Sequence, residues 1–324
     1  MSREEGTERL IKELGDPRRS NQALLALLAR GDDAVPALAE FLRTSKPSSL
    51  SEPRLLAVEG LSILKGHEAL EALIEVATET LGEIADPVVR LAEETVVSRA
   101  ALALAEFPDE PHARDILFFL PGEKPLTGVA EAFEKVKDCR AIPQLAEWLE
   151  EDFVAEPARR AIVACGPAVV PALLRSLRDK HERYGAETGM SQRRRARILS
   201  ILCELAKPAS IHGLEDLLDD PIGAVRWNTV RLFLKNGSMA EQRQAFGVGM
   251  EFLDSPDSFM RYECEELLVA YFDVGKDLIK EEIRRRQTAG ESEENFESRE
   301  TTLAILLRII RRGNKANKET GQKA

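Results

Sequence analysis

Apolar residues recur three and four positions apart along most of the chain. Val35, Leu38 and Leu42 form one such run, and Val170, Leu173, Leu174 and Leu177 form another. This is the 3.6-residue period of a helix with one apolar stripe. The stripes are short and regularly punctuated. "GDDAVPALAEFLR" at 31–43 returns as "RAIPQLAEWLEED" at 140–152 and as "GPAVVPALLRSLR" at 166–178. Gly31 and Gly166 end one helix, while Pro36, Pro143 and Pro171 fall near the first turn of the next, where a missing N–H costs nothing. The pattern therefore predicts pairs of short helices that cannot fuse into one.

The first helix of each pair has its own start signal. Dipeptides ending in proline occur at 16–17, 52–53, 86–87, 124–125, 156–157, 220–221 and 255–256. Successive prolines lie 36, 34, 38, 32, 64 and 35 residues apart, and the long interval hides a degenerate copy beginning near "SQRRRAR" at 191–197. About eight units of roughly 34 residues result. In most, an acid precedes the proline, which suits the positive end of a helix. An arginine often follows one turn later, as in Asp86 and Arg90 or Glu156 and Arg160. One such pair buries too little apolar surface to fold alone, so neighbours must stack.

The acid-proline start with a following arginine, the helix-ending glycine and the "AVPAL" second helix resemble HEAT repeats, specifically the short bacterial kind also seen in phycobilisome lyases. Units one, five and seven match best, and the likeness covers about residues 10–290. The resemblance implies an all-α fold, a right-handed α-solenoid of about eight helical hairpins. Residues 1–15 would form an N-terminal cap, 16–290 the repeats and 291–312 a C-terminal capping helix, all in one body over 1–312. In the capping helix Phe296, Leu303, Leu307 and Ile310 are expected to share the sealing face. A disordered basic tail is expected over 313–324. Function follows less directly, because a fold does not fix an activity.

Composition supports the helical reading. Aromatic residues make up only 5% of 324 residues, against 31% charged and 44% hydrophobic. The charged N-terminus lacks the apolar centre of a signal peptide, and "LAILL" at 303–307 is too short to span a bilayer, so a cytoplasmic protein without membrane insertion is expected. Cys139, Cys165, Cys203 and Cys264 form no CxxC pair and are expected as buried reduced thiols.

Candidate chemistry is sparse. Deoxyhypusine hydroxylase, a HEAT-repeat enzyme, holds iron with His-Glu pairs at matching places in its repeats. Here only His67-Glu68 and His181-Glu182 have that dipeptide, one at a helix start and the other in an interruption. No phosphate loop or nucleophile elbow is spelled. No catalytic residue, cofactor or metal is therefore expected. A bilin lyase-like activity rests on likeness of repeats alone. Some HEAT-like proteins are DNA glycosylases with basic concave surfaces, but the net charge of −11 opposes nucleic-acid binding.

Two basic regions stand out against that charge. Residues 175–197 carry eight cations and three anions, and 299–324 carry seven and two. "RRRAR" at 193–197 opens a helix, the end where cations are disfavoured, so local stability does not call for it. Arg175, Arg178, Arg183, Arg193, Arg194, Arg195 and Arg197 are accordingly candidate contacts for an acidic partner. The competing reading has them meeting acids such as Glu150, Glu151 and Asp152 on a neighbouring unit. Trp148 and Trp227 join the candidates because tryptophan often anchors interfaces, although both occupy packing positions. The sequence-level expectation is a non-catalytic scaffold or adaptor that grips a protein or peptide partner on a curved surface lined by the second helices.

Overall fold

The computed structural model describes residues 3–120, 125–289 and 301–321. It is 78% helical, with 17 helices and almost no strand among the described residues, so the chain is all-α. Two compact units divide it, Met1–Ala172 and Leu173–Ala324.

In the first unit α1 (Arg3–Glu13) precedes helices that follow one another in twos: α2 (Ser20–Leu28) and α3 (Val35–Thr44), α4 (Glu52–Leu64) and α5 (His67–Ala77), α6 (Pro87–Leu104) and α7 (Pro111–Phe119), α8 (Thr127–Val136) and α9 (Ile142–Trp148), then α10 (Asp152–Ala164). The predicted punctuation is present in part: Pro53 and Pro87 fall in the first turns of α4 and α6, whereas Pro17, Pro125, Pro221 and Pro256 lie two or three residues before their helices. Asp86 caps α6, its carboxylate accepting from Val88 N at 2.8 Å, and Pro87 fills the first helical position. Gly31 and Gly166 carry φ of 61° and 70°, the left-handed conformation in which a β-carbon is strained. Along the unit α2 touches α4, α4 touches α6, α6 touches α8 and α8 touches α10, while α3 lies on α5. Leu27, Leu38, Leu61, Leu73, Val96, Leu104, Phe133 and Ile162 are buried between these layers.

Two details position α6 within the unit. The buried Arg54 of α4 donates to Ser45 O at 3.0 Å and Glu79 Oε1 at 2.6 Å, and its Nε lies 3.3 Å from Glu93 Oε2 on α6. Burial pushes the Glu93 carboxyl up, and the Arg54 charge only partly pulls it back. On the other side Gly128 of α8 sits directly against α6. A β-carbon there would lie 1.8 Å from Ser98 O, and Gly128 N–H donates to Ser98 Oγ at 2.7 Å.

The second unit contains α12 (Gly189–Leu205), α13 (Gly223–Asn236), α14 (Met239–Glu251), α15 (Ser258–Ala270), α16 (Phe272–Thr288) and α17 (Thr302–Gly321). Between the units' helices α11 (Val170–Arg178) carries the last of the three opening phrases. Ser238 and Glu241 form a reciprocal capping box at the start of α14. Ile198, Leu202, Val230, Phe233, Phe246, Leu268, Ile279, Leu306 and Ile309 build the core.

The structure corrects the sequence reading in several places, among them Cys139, which is exposed and not buried. Pro157 does not open a helix: α10 begins five residues earlier at Asp152 and carries the proline inside it, with Glu151 as its N-cap. The degenerate sixth unit has one α-helix, α12, followed by 3₁₀ turns at Pro208–Ser210 and Glu215–Asp219 in place of a second. The interruption at 179–192 contains two short antiparallel strands, β1 (Glu182–Arg183) and β2 (Ala186–Glu187), where no strand was expected. Tyr184 and Gly185, with φ of 56° and 77°, make the tight turn between them.

Residues 313–321, expected to be disordered, continue α17. Gly313 does not stop that helix, because its missing side chain is what lets it sit on Phe272, whose ring would lie 2.3 Å from a β-carbon. Finally, the buried seam of α17 runs through Leu303, Ile305, Leu306 and Ile309, while Leu307 and Ile310 are half-exposed. Phe296 and the expected start of the capping helix at 291–300 lie outside the described residues.

The last helix is clamped electrostatically as well. Arg308 Nε and Arg312 Nη1 donate to Glu265 Oε1 at 2.7 and 3.0 Å, and Arg312 also reaches Glu266 at 2.6 Å. Burial raises the Glu265 carboxyl, but these charge-assisted bonds outweigh it and hold the group below its usual value.

Candidate interaction groove

The arginine-rich stretch folds inward. Arg194 and Arg195 are fully buried on α12 and present nothing to a partner, which corrects their expected place on a contact surface. Arg195 donates to Leu177 O at 3.3 Å, Glu187 Oε2 at 2.7 Å and Asp220 Oδ2 at 2.5 Å. Arg194 donates to Asp179 O and lies 3.2 Å from His181 Nε2. Within this unit the acids that meet Arg195 are thus Glu187 and Asp220. Around them Ser191 Oγ donates to Glu187 Oε1 at 2.8 Å and accepts from His181 N at 3.2 Å. The two arginines tie the ends of the β-hairpin to α12 and to the turn before α13.

The remaining candidates scatter. Arg178 is exposed and grips Asp216 with both terminal nitrogens, at 2.5 and 2.8 Å, which raises its pKa. Arg183 stacks its guanidinium 5.1 Å from the Tyr184 ring on the hairpin tip. Arg175 and Arg193 are exposed and Arg197 is half-buried. Trp148 is buried in α9, and Trp227 is buried in α13 with its ring 5.2 Å from Phe252, so neither is available as a surface anchor. The structure therefore assembles no continuous basic face from these residues within the second unit.

Metal-ligand geometry is found at one place in that unit. Single donor atoms of His212, Glu215 and Glu241 lie within 4.8 Å of one another. The Glu241 carboxylate is already engaged, accepting from Ser238 N at 2.6 Å and contacting His212 Nδ1 at 3.0 Å. It also sits on the first turn of α14, where the helix end disfavours a cation. Capping accounts for the cluster.

A surface that sequence reasoning missed lies in the first unit. A groove of about 840 Å³ runs over α4, α6, α8 and α10. Leu55 and Glu59 of α4, Leu91, Glu94, Thr95, Ser98, Arg99 and Leu102 of α6, and Glu131 of α8 line it, each set spaced three or four residues apart and so on one helix face. Leu126, Thr127, Gly128, Glu151 and Phe153 also line it. Leu91 is 65% exposed and Phe153 is 93% exposed. Among the described residues four carboxylates and one guanidinium line the groove. Glu131 shares Arg160 with Glu134, the latter contact being the shorter at 2.9 Å against 3.4 Å.

This groove is built from first helices, whereas the partner surface expected from sequence was on second helices. A signal for it was present in the sequence. α6 carries a second stripe, Val88, Leu91, Thr95, Ser98 and Leu102, apart from the buried Val96, Val97, Ala100, Ala101 and Leu104. Two stripes on one helix mark two covered faces. No protein-family model and no curated protein matches the chain, so the groove's meaning is argued from its geometry.

Proposed function

We propose that this chain is a non-catalytic scaffold of the HEAT type, its hairpins laid on one another as a right-handed α-solenoid, that grips a protein or peptide partner in the groove of its first unit. The observation that carries the reading is the groove itself. Four successive first helices contribute polar and apolar side chains to its lining, and Leu91 and Phe153 among them are exposed. Large apolar side chains grouped in a concavity and rimmed by charge are what partner-binding surfaces offer. An acidic lining opposes a nucleic acid in the same place.

A photo-crosslinking amino acid at position 153, expressed in the native host, tests this. A discrete adduct from position 153 that is absent when the same residue is placed at exposed Leu25 is expected. Equal labelling from both sites, or none from 153, would overturn the reading.

A further inference from the structure

Two of the four thiols meet at a corner of the first unit, away from the proposed gripping surface. The 3₁₀ turn Cys139–Ala141 joins α8 to α9, and Cys165 is the C-cap of α10, where a second 3₁₀ turn leads into α11. Because α8 packs along α10, the turns that follow these two first helices come together. Both cysteines are free thiols. Burial first, and then a hydrogen bond to the Cys139 side chain, hold the Cys165 thiol protonated above its ordinary value, so the two side chains are in contact. Cys139 Sγ itself donates to Lys137 O at 3.7 Å.

The geometry points to a reversible disulfide between Cys139 and Cys165, formed by a peroxide-class oxidant that enters at Cys139. Exposure fixes the order of events, since Cys139 is exposed and Cys165 half-buried. Cys139 borders an open hollow of about 420 Å³ together with Arg114, Lys137, Asp138 and Arg140, so a small oxidant reaches its sulfur from solvent. The Cys139 sulfur takes one oxygen atom from the peroxide and becomes a sulfenic acid, and the other oxygen leaves as water. The Cys165 sulfur then bonds to the Cys139 sulfur, and the hydroxyl departs with the Cys165 proton as a second water. Two thiols have given up two electrons, and one peroxide has taken them. A neutral sulfenic acid also removes the Cys139 charge that helps to raise Cys165, which leaves burial as the main brake on the second step. Closing the bond brings the sulfurs to about 2.05 Å. One cysteine lies on a turn and the other at a helix end, where the backbone shifts more readily than inside a helix.

The reduced full chain is treated with hydrogen peroxide, blocked with iodoacetamide, digested with trypsin without reductant and mapped by mass spectrometry. The expected product joins peptide 138–140 to peptide 161–175, in chains that run as monomers on a non-reducing gel, and dithiothreitol reverses it. Cys203 and Cys264, in the second unit, stay reduced and serve as internal controls. Cys165→Ser abolishes the product and leaves Cys139 as a sulfenic acid, so dimedone labels that variant more than wild type. Cys139→Ser, an exposed change, leaves Cys165 reduced after the same treatment.

Absence of the joined peptides from the wild type overturns the inference. So does a cross-link found only between chains, Cys139 carried on to sulfinic acid beside a reduced Cys165, or equal dimedone labelling of wild type and Cys165→Ser.

Discussion

Arg195→Leu is the substitution whose effect the structure fixes most closely. The wild-type guanidinium is buried and spans two acids, Glu187 at 2.7 Å and Asp220 at 2.5 Å. Removing it leaves the nearly buried Glu187 without its cation and the buried Asp220 with only Lys180 at 4.0 Å, a change that costs about 3–5 kcal/mol. For a body of 150–250 residues each kcal/mol moves the melting temperature by about 2–4 °C, so a fall of roughly 6–20 °C is expected by calorimetry. Arg193→Leu, two positions earlier and exposed, should stay within about 0.5 kcal/mol of wild type. Adding Asp220→Asn to Arg195→Leu should recover part of the loss, because the amide oxygen still accepts from Ile222 N at that turn, a 2.9 Å bond in the wild type. Equal stability of Arg195→Leu and wild type would refute the assignment of this cluster to folding. Charge reversal across Arg193–Arg195, which the sequence alone recommends as a test of partner capture, would on this account report unfolding instead.

Three further outcomes are expected. Glu265 is held below its usual value near 4.5, so the unfolded chain takes up its proton first as pH falls, and the clamp on α17 is complete above that value and lost as pH drops through the folded value. The difference in melting temperature between wild type and Glu265→Gln should therefore be constant at neutral pH and shrink in acid; a constant difference throughout would contradict it. Burial pushes Cys165 up to about 12, Cys203 to about 11 and Cys264 to about 12, while Cys139 is exposed, so a thiol reagent at neutral pH should label Cys139 alone, as peptide mapping will check. Gly128→Ala places a β-carbon 1.8 Å from Ser98 O and must push α8 off α6, lowering stability by about 1–3 kcal/mol in a urea titration; an unchanged midpoint would mean the helices are not that close.

Periodicity made the helices legible before any coordinates. The glycine at 31 and the proline at 36 mark a boundary because one residue is strained without glycine and the other lacks a donor, which are local facts of the backbone. Pro157 misled because a proline in the second turn of a helix and one at its start spell the same dipeptide, and only the packing of α10 against α8 decides between them. The arginines misled for a related reason. Their charge is visible in sequence, but the partners that bury it, Glu187 and Asp220, are 8 and 25 residues away and are brought near by the hairpin and by a turn. The groove escaped because its residues are ordinary leucines and glutamates on four separate helices. Their second stripe is weak on each helix and becomes a feature only when the helices stand side by side.

The central claim is that the face shared by α4, α6, α8 and α10 grips a protein or peptide partner. Hydrogen exchange by mass spectrometry, on the chain alone and on the chain bound to the partner that crosslinks at position 153, tests it directly. The account predicts added protection over residues 52–64, 87–104 and 151–155, with residues 175–197 unchanged. Protection confined to 175–197, or none in the first unit while the partner is bound, would contradict it.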